Sequence, residues 1–153
     1  MALPLNVPTM QDDQLPAQID VAISYAGPER DYAKALAERV VAAGFVPFYD
    51  QYYPQAIWGA DLAVLFDQVY RQRARYCVMF ISEEYLARPW TNHERQSAIA
   101  RAIQERGQSY ILPIMVNGPL EIPGIASSVI GHLSLQQMGI DAIADVLISK
   151  LRA

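Results

Sequence analysis

The sequence predicts an α/β domain in which a five-stranded parallel sheet is covered by helices on both faces, giving three layers. Three observations lead to this fold class. Short apolar runs alternate along the chain with amphipathic segments of helical period. One run, residues 76–81, is apolar throughout, as a parallel strand buried on both faces requires. The 153 residues suit one domain, and 52% of them are hydrophobic, which is enough to form a core.

The predicted strands are short apolar runs, rich in β-branched or aromatic residues and bounded by turn-forming residues. The second of them contains Pro47, which has no N–H to donate. This strand should therefore lie near an edge of the sheet or leave one ladder position unpaired. The five predicted strands comprise residues 19–25, 45–50, 75–81, 110–116 and 131–135.

Four amphipathic segments predict the helices that cover the sheet. Gly44 is a natural stop for the first of them, and Pro89 suits the first position of the third. Residues 82–87 are predicted to be a turn or a short helix. The predicted helices comprise residues 28–43, 61–74, 89–106 and 139–151. The inward stripe of the first helix is predicted to be Tyr32, Ala35, Leu36, Val40 and Ala43.

Residues 1–18 contain three prolines and little periodicity, which predicts a tail or linker before one domain of residues 19–153. No stretch approaches the ~20 apolar residues of a membrane span, and the N-terminus lacks the basic and apolar regions of a signal peptide. The single cysteine, Cys77, permits no internal disulfide and is predicted to be a buried free thiol in a reducing compartment. A soluble cytoplasmic protein is therefore expected.

The net charge of −4 and the lack of a long basic run argue against direct binding of nucleic acid. The densest basic cluster, Arg71, Arg73 and Arg75, falls where a helix is predicted to end. Cations there complement the helix dipole, and a phosphate or partner contact is the alternative. The sequence has neither a P-loop nor a dinucleotide-binding glycine motif. With one cysteine and two histidines a zinc site is not expected, and no cofactor is predicted.

Ligands of such folds bind outside the carboxyl ends of the parallel strands. In this chain those ends are residues 24–27, Asp50 with the aromatic-rich loop after it, and Ser82. Ser82 leads into the predicted helix that contains Trp90 and Glu94. Three separate segments are therefore predicted to converge on one crevice.

Trp90 and Glu94 are four residues apart, so an indole and a carboxylate share one face of the predicted helix. The plainer interpretation is a core tryptophan beside a solvated acid. Alternatively, the aromatic plate stacks on a base while the carboxylate stabilises the oxocarbenium-like cation of a breaking glycosidic bond. If the leaving group is already cationic, like nicotinamide, one carboxylate suffices, and Asp50 is either a second acid or only a loop cap.

Several segments, in this order and spacing, resemble a TIR domain from residue 19 to about residue 151. The resemblance implies a flavodoxin-like fold of three α/β/α layers. The matching segments are residues 20–26 (first strand), 48–50 and 58–62 (second strand and the BB loop after it), 80–82 with Tyr85, Trp90 and Glu94 (third strand and next helix), and 111–114 (fourth strand).

In the enzymes of this family a glutamate on the helix after the third strand is catalytic, and Glu94 matches its place. Trp90 matches the aromatic residue one turn earlier. The resemblance implies cleavage of the nicotinamide–ribose bond of NAD+, which is a substrate here rather than a cofactor, to give ADP-ribose or a cyclic isomer of it. The positions expected to line the nucleotide crevice are Ser24, Tyr25, Ala26, Asp50, Trp58, Leu62 and Trp90.

Family enzymes typically assemble head to tail, and a neighbour's BB loop completes the site, so the resemblance implies self-association. The BB loop lacks the Arg-Asp-x-x-Pro-Gly pattern of animal adaptors, Thr91 replaces the usual cysteine after Trp90, and the C-terminal Phe-Trp box is missing. The pattern that remains resembles bacterial members, many of which serve in antiviral defence. The sequence contains no sensor or effector module, so that role is expected of a separate protein or of a part of the protein outside this sequence. A non-enzymatic TIR scaffold is the main alternative, and a nucleoside deoxyribosyltransferase-like enzyme fits the BB loop less well.

Overall fold

The computed structural model describes residues 15–87, 89–122 and 130–153, and for residues 89–96 and 108 it describes the backbone alone. Five strands form one sheet: Ile19–Ser24 (β1), Pro47–Phe48 (β2), Ala74–Ile81 (β3), Ile111–Met115 (β4) and Leu133–Ser134 (β5). Their order is β2-β1-β3-β4-β5, and every neighbouring pair is parallel. The predicted sheet is therefore confirmed. β2 lies at an edge, where the missing donor of Pro47 is tolerated.

Helices connect the strands, and each predicted helical segment overlaps one. The helices are Arg30–Ala42 (α1), Pro54–Ile57 (α2), Leu62–Phe66 (α3), Glu83–Ala87 (α4), Pro89–Arg106 (α5) and Leu135–Arg152 (α6). A π-helix, Asp67–Arg73, continues α3 up to β3. Short 3-10 turns are formed by Gly27–Glu29, Asp50–Tyr52 and Gln108–Tyr110.

The core lies on both faces of the sheet, as expected for three layers. On one face, α1 and α6 pack against β3, with Leu36, Leu147 and Val78 in the same cluster. On the other face, α3, the π-helix and α5 pack together, and Leu65 and Ile99 belong to their cluster. The flavodoxin-like α/β/α architecture is confirmed, and it brings the carboxyl ends of β1, β2 and β3 together at one edge of the sheet.

The predicted stripe of the first helix is partly wrong. α1 buries Leu36 and Val40 as predicted, but Tyr32 is 42% exposed. Ala33 and Ala37 are buried instead, because with Leu36, Val40 and Val41 they form the helical stripe that faces the core, at i, i+3, i+4, i+7 and i+8. The apolar periodicity identified the helix, but it assigned the large ring of Tyr32 to the core face when this ring lies at the surface.

The predicted start of the last helix at residue 139 is also wrong. The side chain of Ser134 accepts a hydrogen bond from the N–H of Gln137, so the helix begins one turn earlier, at Leu135. Gly139 then interrupts the helix with φ +77°, a conformation that glycine adopts without strain. The predicted boundary therefore marks a break inside α6.

The three arginines of the basic cluster contact different parts of the chain. Arg71 pairs with Asp67 and Glu105. Arg73 donates hydrogen bonds to two backbone carbonyls, those of residues 15 and 16. Arg75 lies in β3 and donates to the carbonyl of Leu151 at the end of α6. These contacts support the structural interpretation of the cluster over a phosphate site.

Across residues 15–87, 89–122 and 130–153, no helix is both long and apolar enough to cross a bilayer.

Candidate active site

Four buried polar side chains connect the carboxyl ends of β1 and β3. Ser24, Glu29, Ser82 and Tyr85, here called the inner cluster, are each at most 3% exposed. The hydroxyl of Ser24 and the phenol oxygen of Tyr85 are 2.6 Å apart. Ser82 donates its proton to Oε1 of Glu29 over 2.5 Å. Polar groups remain buried at low cost only when they are hydrogen-bonded, so these bonds hold the two loops in one arrangement.

Ser82 fixes the start of α4 as well as the loop. It follows β3 directly, and its Oγ accepts a hydrogen bond from the N–H of Tyr85, which is the geometry of a helix N-cap. The same hydroxyl therefore caps α4 and binds Glu29. The carboxylate of Glu29 comes from the 3-10 turn that precedes α1, on the neighbouring strand's loop.

A second group of contacts connects β1 to the chain that follows β2. Residues 49–61, here called the outer segment, begin beside Tyr25, whose phenol donates a hydrogen bond to Oδ1 of Asp50 over 2.6 Å. The Tyr25 ring tilts against Tyr49 with centroids 5.8 Å apart, and Tyr49 meets Tyr52 edge-on at 5.0 Å. Burial and the nearby Asp50 carboxylate hold the pKa of Tyr25 above its usual range, so this phenol remains a hydrogen-bond donor.

The outer segment is anchored at both ends and carries an exposed tryptophan between them. Just before it, Phe48 of β2 is fully buried and stacks on Tyr53 with centroids 5.7 Å apart. At its end, the carboxylate of Asp61 accepts hydrogen bonds from two backbone N–H groups of α3. Between these anchors the indole of Trp58 is 89% exposed, next to a turn at Gly59 with φ +78°.

The structure brings together several of the residues singled out from the sequence. Ser24, Tyr25 and Ala26 are buried at the carboxyl end of β1, and Asp50 is bonded to Tyr25. The Ser24 hydroxyl is engaged by Tyr85, so a nucleotide contact from Ser24 would come from its backbone. The three segments predicted to converge therefore do so.

Of the other predicted site residues, the structure describes two in full and two by their backbone alone. Leu62 is half-buried at the start of α3, and Trp58 lies out in solvent. Trp90 and Glu94 fall in the first turns of α5, which begins at Pro89 as predicted, but their side chains lie outside the described part of the chain. Their assignment to the site stays a prediction.

Glu29 is the buried polar residue that the sequence reasoning missed. Next to Pro28 at the start of a predicted helix, its acid is typical of a solvated first turn. The contact with Ser82 joins residues 53 positions apart and exists because β1 and β3 are neighbours in the sheet. The pattern that could have predicted this contact is a serine directly after one strand, Ser82, and an acid shortly after another, Glu29.

In the part of the chain that the structure describes, no group of three or more His, Cys, Asp or Glu side chains could hold a metal ion. Cys77 is fully buried within β3, and its thiol lies in the apolar core as predicted.

Comparison with known proteins agrees with this architecture. A family model described as TIR domain matches residues 21–147. The chain is also 38% identical over 135 residues to the 3' cyclic ADP-D-ribose synthase AaTIR of Aquimarina amphilecti. That alignment covers 88% of this chain and 40% of the relative, so the chain spans less than half of the relative's length. With a match over most of its residues, the chain belongs to the TIR domain family.

Proposed function

We propose that this TIR domain cleaves the nicotinamide–ribose bond of NAD+, giving nicotinamide and either ADP-ribose or a cyclic isomer of it. The observation that carries the proposal is the 38% identity, across 88% of the chain, to a relative named as a cyclic ADP-ribose synthase. Further support comes from the carboxyl ends of β1, β2 and β3, which hydrogen bonds join at one edge of the sheet, because ligands of such folds bind outside that edge.

In the proposed mechanism the carbon–nitrogen bond breaks and its electron pair leaves with nicotinamide, which becomes neutral. Glu94 accepts hydrogen bonds from ribose hydroxyls and stabilises the ribosyl cation more than the ground state. Trp90 and Tyr25 bracket the nicotinamide riboside, and residues 24–27 offer backbone N–H groups to the phosphates. Water then captures the cation and releases a proton, or a hydroxyl or ring nitrogen of the same nucleotide closes a ring.

The geometry of Asp50 supports a positioning role over a second acid in this mechanism. Asp50 begins a 3-10 turn and accepts the hydrogen bond of Tyr25. That bond directs the Tyr25 phenol toward the outer segment, so the ring of Tyr25 keeps one orientation at the end of β1.

The proposal includes head-to-tail self-association. Trp58 is exposed on the outer segment, beside the β2 edge of the sheet, while an apolar groove of about 270 Å³ lies beside the opposite edge strand, β5. Exposed apolar surface of this kind marks an interaction site. Two different surfaces at opposite edges would form a heterologous contact, which gives a closed ring when its rotation closes and an open filament when it does not. The groove is lined in part by Leu36, Leu112, Ile114, Leu133, Val146 and Leu147.

Assembly is tested by light scattering over a range of protein concentrations. Val146 lines the groove and is 44% exposed, so Val146→Asp places a charge on the groove wall. This charge should shift assembly to higher protein concentration. Ser149→Asp adds the same charge to α6 away from the groove lining and serves as the control. Equal assembly by both variants would remove the groove from the proposal.

The reaction is tested by NAD+ loss at rising protein concentration, since an unassembled enzyme would look inactive. Glu94→Gln should keep the fold and nucleotide binding but lower turnover at least about 100-fold, because a neutral amide cannot balance the cation. Chromatography and NMR identify the product. Turnover retained in Glu94→Gln would remove the site assignment. An assembled protein that leaves NAD+ intact would be the non-enzymatic scaffold, which the groove and Trp58 would serve equally well.

We further propose a role in bacterial antiphage signalling, in which the nucleotide product acts on a separate effector protein. An effector that responds to the product of the purified chain, and does not respond to Glu94→Gln reactions, would support that role.

A further inference from the structure

We infer that Glu29 is a positioning residue for the proposed reaction: through its hydrogen bond to Ser82 it fixes the start of α4, the short helix that precedes the Glu94-bearing helix α5. The inference rests on the proposed function for its effect on turnover. Its structural part, the ordering of the chain after β3, can be measured separately.

The hydroxyl of Ser82 is hydrogen-bonded both as a donor and as an acceptor. This group has one proton, which it donates to Glu29, and its oxygen also accepts the N–H of Tyr85. Both bonds are buried. The rotamer of Ser82, and with it the direction in which α4 leaves the sheet, is therefore set by an acid on the loop after β1.

A second contact of the same kind makes the attachment of α4 rigid. Tyr85 lies one turn into α4, and its phenol reaches back to the hydroxyl of Ser24 at the end of β1. α4 is thus held to the β1 side at two points, through Ser82 and through Tyr85. Two directional bonds fix orientation as well as position, which one apolar contact would not do.

The orientation of α4 also affects α5, because the two helices follow closely in the chain. α4 ends at Ala87 and α5 begins at Pro89, so a single residue separates the two helices. A rotation of α4 would therefore displace the first turns of α5, where Glu94 lies. Because a displacement of about 1 Å in a reacting group can lower a rate about 100-fold, the attachment of α4 matters to the reaction.

A contribution to folding stability does not by itself explain why position 29 is an acid. Replacing a buried charged group by an apolar residue of similar volume is often neutral or stabilising, since the acid must lose its hydration to be buried. Glu29 is 3% exposed and joins the loop after β1, to which it belongs, to Ser82 at the end of β3. A directional acceptor for Ser82 is what the carboxylate supplies and an apolar side chain does not.

The test compares Glu29→Gln with Glu29→Met in the whole chain. Glutamine keeps a carbonyl acceptor for Ser82, whereas methionine keeps the volume and removes the acceptor. Glu84→Met makes the same change at an exposed residue of α4 and is the control. The kcat and KM for NAD+ are measured at protein concentrations that saturate assembly, and hydrogen exchange is followed over residues 82–95.

We expect Glu29→Gln and the control to stay within about threefold of the wild-type kcat. Glu29→Met should lower kcat roughly 10- to 100-fold while KM changes less than about threefold. Exchange over residues 82–95 should accelerate at least about tenfold in Glu29→Met alone. If Glu29→Met does not fold, Ser82→Ala, which removes the donor with a smaller change in volume, should show the same pattern.

Wild-type kcat in Glu29→Met, equal losses in the Gln and Met variants, or a raised KM with unchanged kcat would each overturn the inference. If the unmodified chain leaves NAD+ intact, the proposed function fails, and the exchange comparison still decides the inference. Unchanged exchange in Glu29→Met would then overturn it.

Discussion

The inner cluster and the outer segment lie at the same edge of the sheet, yet they are built in opposite ways. The inner cluster has its four polar side chains buried and bonded to one another. The outer segment is held by aromatic packing at its start and by a helix cap at its end, and the indole of Trp58 between them faces solvent.

In the proposed reaction this difference would separate two tasks. A reacting carboxylate gains from a rigid surrounding, because bonds formed during folding need not form during the reaction. A contact with a second molecule needs apolar surface that the chain itself leaves uncovered. The β1–β3 side therefore suits the chemistry, and the β2 side suits binding of a nucleotide base or a neighbouring copy.

The largest expected effect concerns the base of the outer segment, where the comparison predicts packing as firm as in the inner cluster. Phe48→Ala removes a fully buried ring that stacks on Tyr53 and meets Tyr70 edge-on. We expect the free energy of unfolding to fall by about 3–5 kcal/mol, as for other buried aromatic truncations. Urea unfolding monitored by circular dichroism measures it. A loss below about 1 kcal/mol would mean that the segment is loosely attached along its whole length.

The two regions can be compared most directly by removing one phenol hydroxyl from the inner cluster and one beside the outer segment. Tyr85→Phe takes a partner from the fully buried Ser24 hydroxyl and should lower the free energy of unfolding by about 1–3 kcal/mol. Tyr25→Phe takes a partner from Asp50, which is half-buried and can turn to water, so about 0.5–1.5 kcal/mol is expected. Chemical unfolding of both variants under one condition gives the difference. A larger loss in Tyr25→Phe would reverse the contrast between the two regions.

Most of the fold could be predicted from the sequence, because apolar periodicity and turn residues act locally. The carboxyl ends of neighbouring parallel strands meet at one edge of the sheet, and this expectation correctly placed Tyr25, Asp50 and Ser82 together from three separate segments. The inner cluster could not be predicted in the same way. Its bond between Glu29 and Ser82 depends on β1 and β3 being neighbours, and no local pattern shows that an acid in a first helical turn points inward.

The stripe of α1 failed for a related reason. A helical period defines a stripe, and two stripes one residue apart, one with Tyr32 and one with Ala33, can be drawn through the apolar residues of α1. Which of them faces the core depends on the sheet residues that α1 packs against, such as Val21 and Ile23, and these lie outside the helix.

A third prediction uses alkaline pH to measure how firmly the outer segment is held. Burial and Asp50 raise the pKa of Tyr25, and burial, Glu38 and Tyr49 raise the pKa of Tyr52 to about 12. Below pH 10, the ordinary tyrosine pKa, this stabilisation is fully present; above it, unfolded tyrosines ionise while folded ones do not. Stability should therefore fall as pH rises, by up to about 1.4 kcal/mol per pH unit for each such tyrosine.

The measurement is urea unfolding between pH 9 and pH 11. Tyr25→Phe should make the fall less steep by up to about 1.4 kcal/mol per pH unit, and Tyr52→Phe should do the same across this range, because the pKa of Tyr52, about 12, lies above it. A slope equal to wild type in Tyr25→Phe would show that this phenol ionises as freely in the folded chain as in the unfolded one.

The smallest effect on stability is expected at the tip of the outer segment, where the effect on products is distinctive. Trp58 is 89% exposed, so Trp58→Ala should change the free energy of unfolding by less than about 0.5 kcal/mol. If the indole stacks on a base, its loss removes about 1–3 kcal/mol of binding and frees the nucleotide tail. Water would then capture the ribosyl cation more often, which shifts products from cyclic toward hydrolysed nucleotide. Chromatography of the products measures the ratio, and Trp58→Phe, which keeps a stacking ring, should stay nearer wild type. A ratio unchanged in Trp58→Ala would leave the tip without a role in product choice and limit it to assembly.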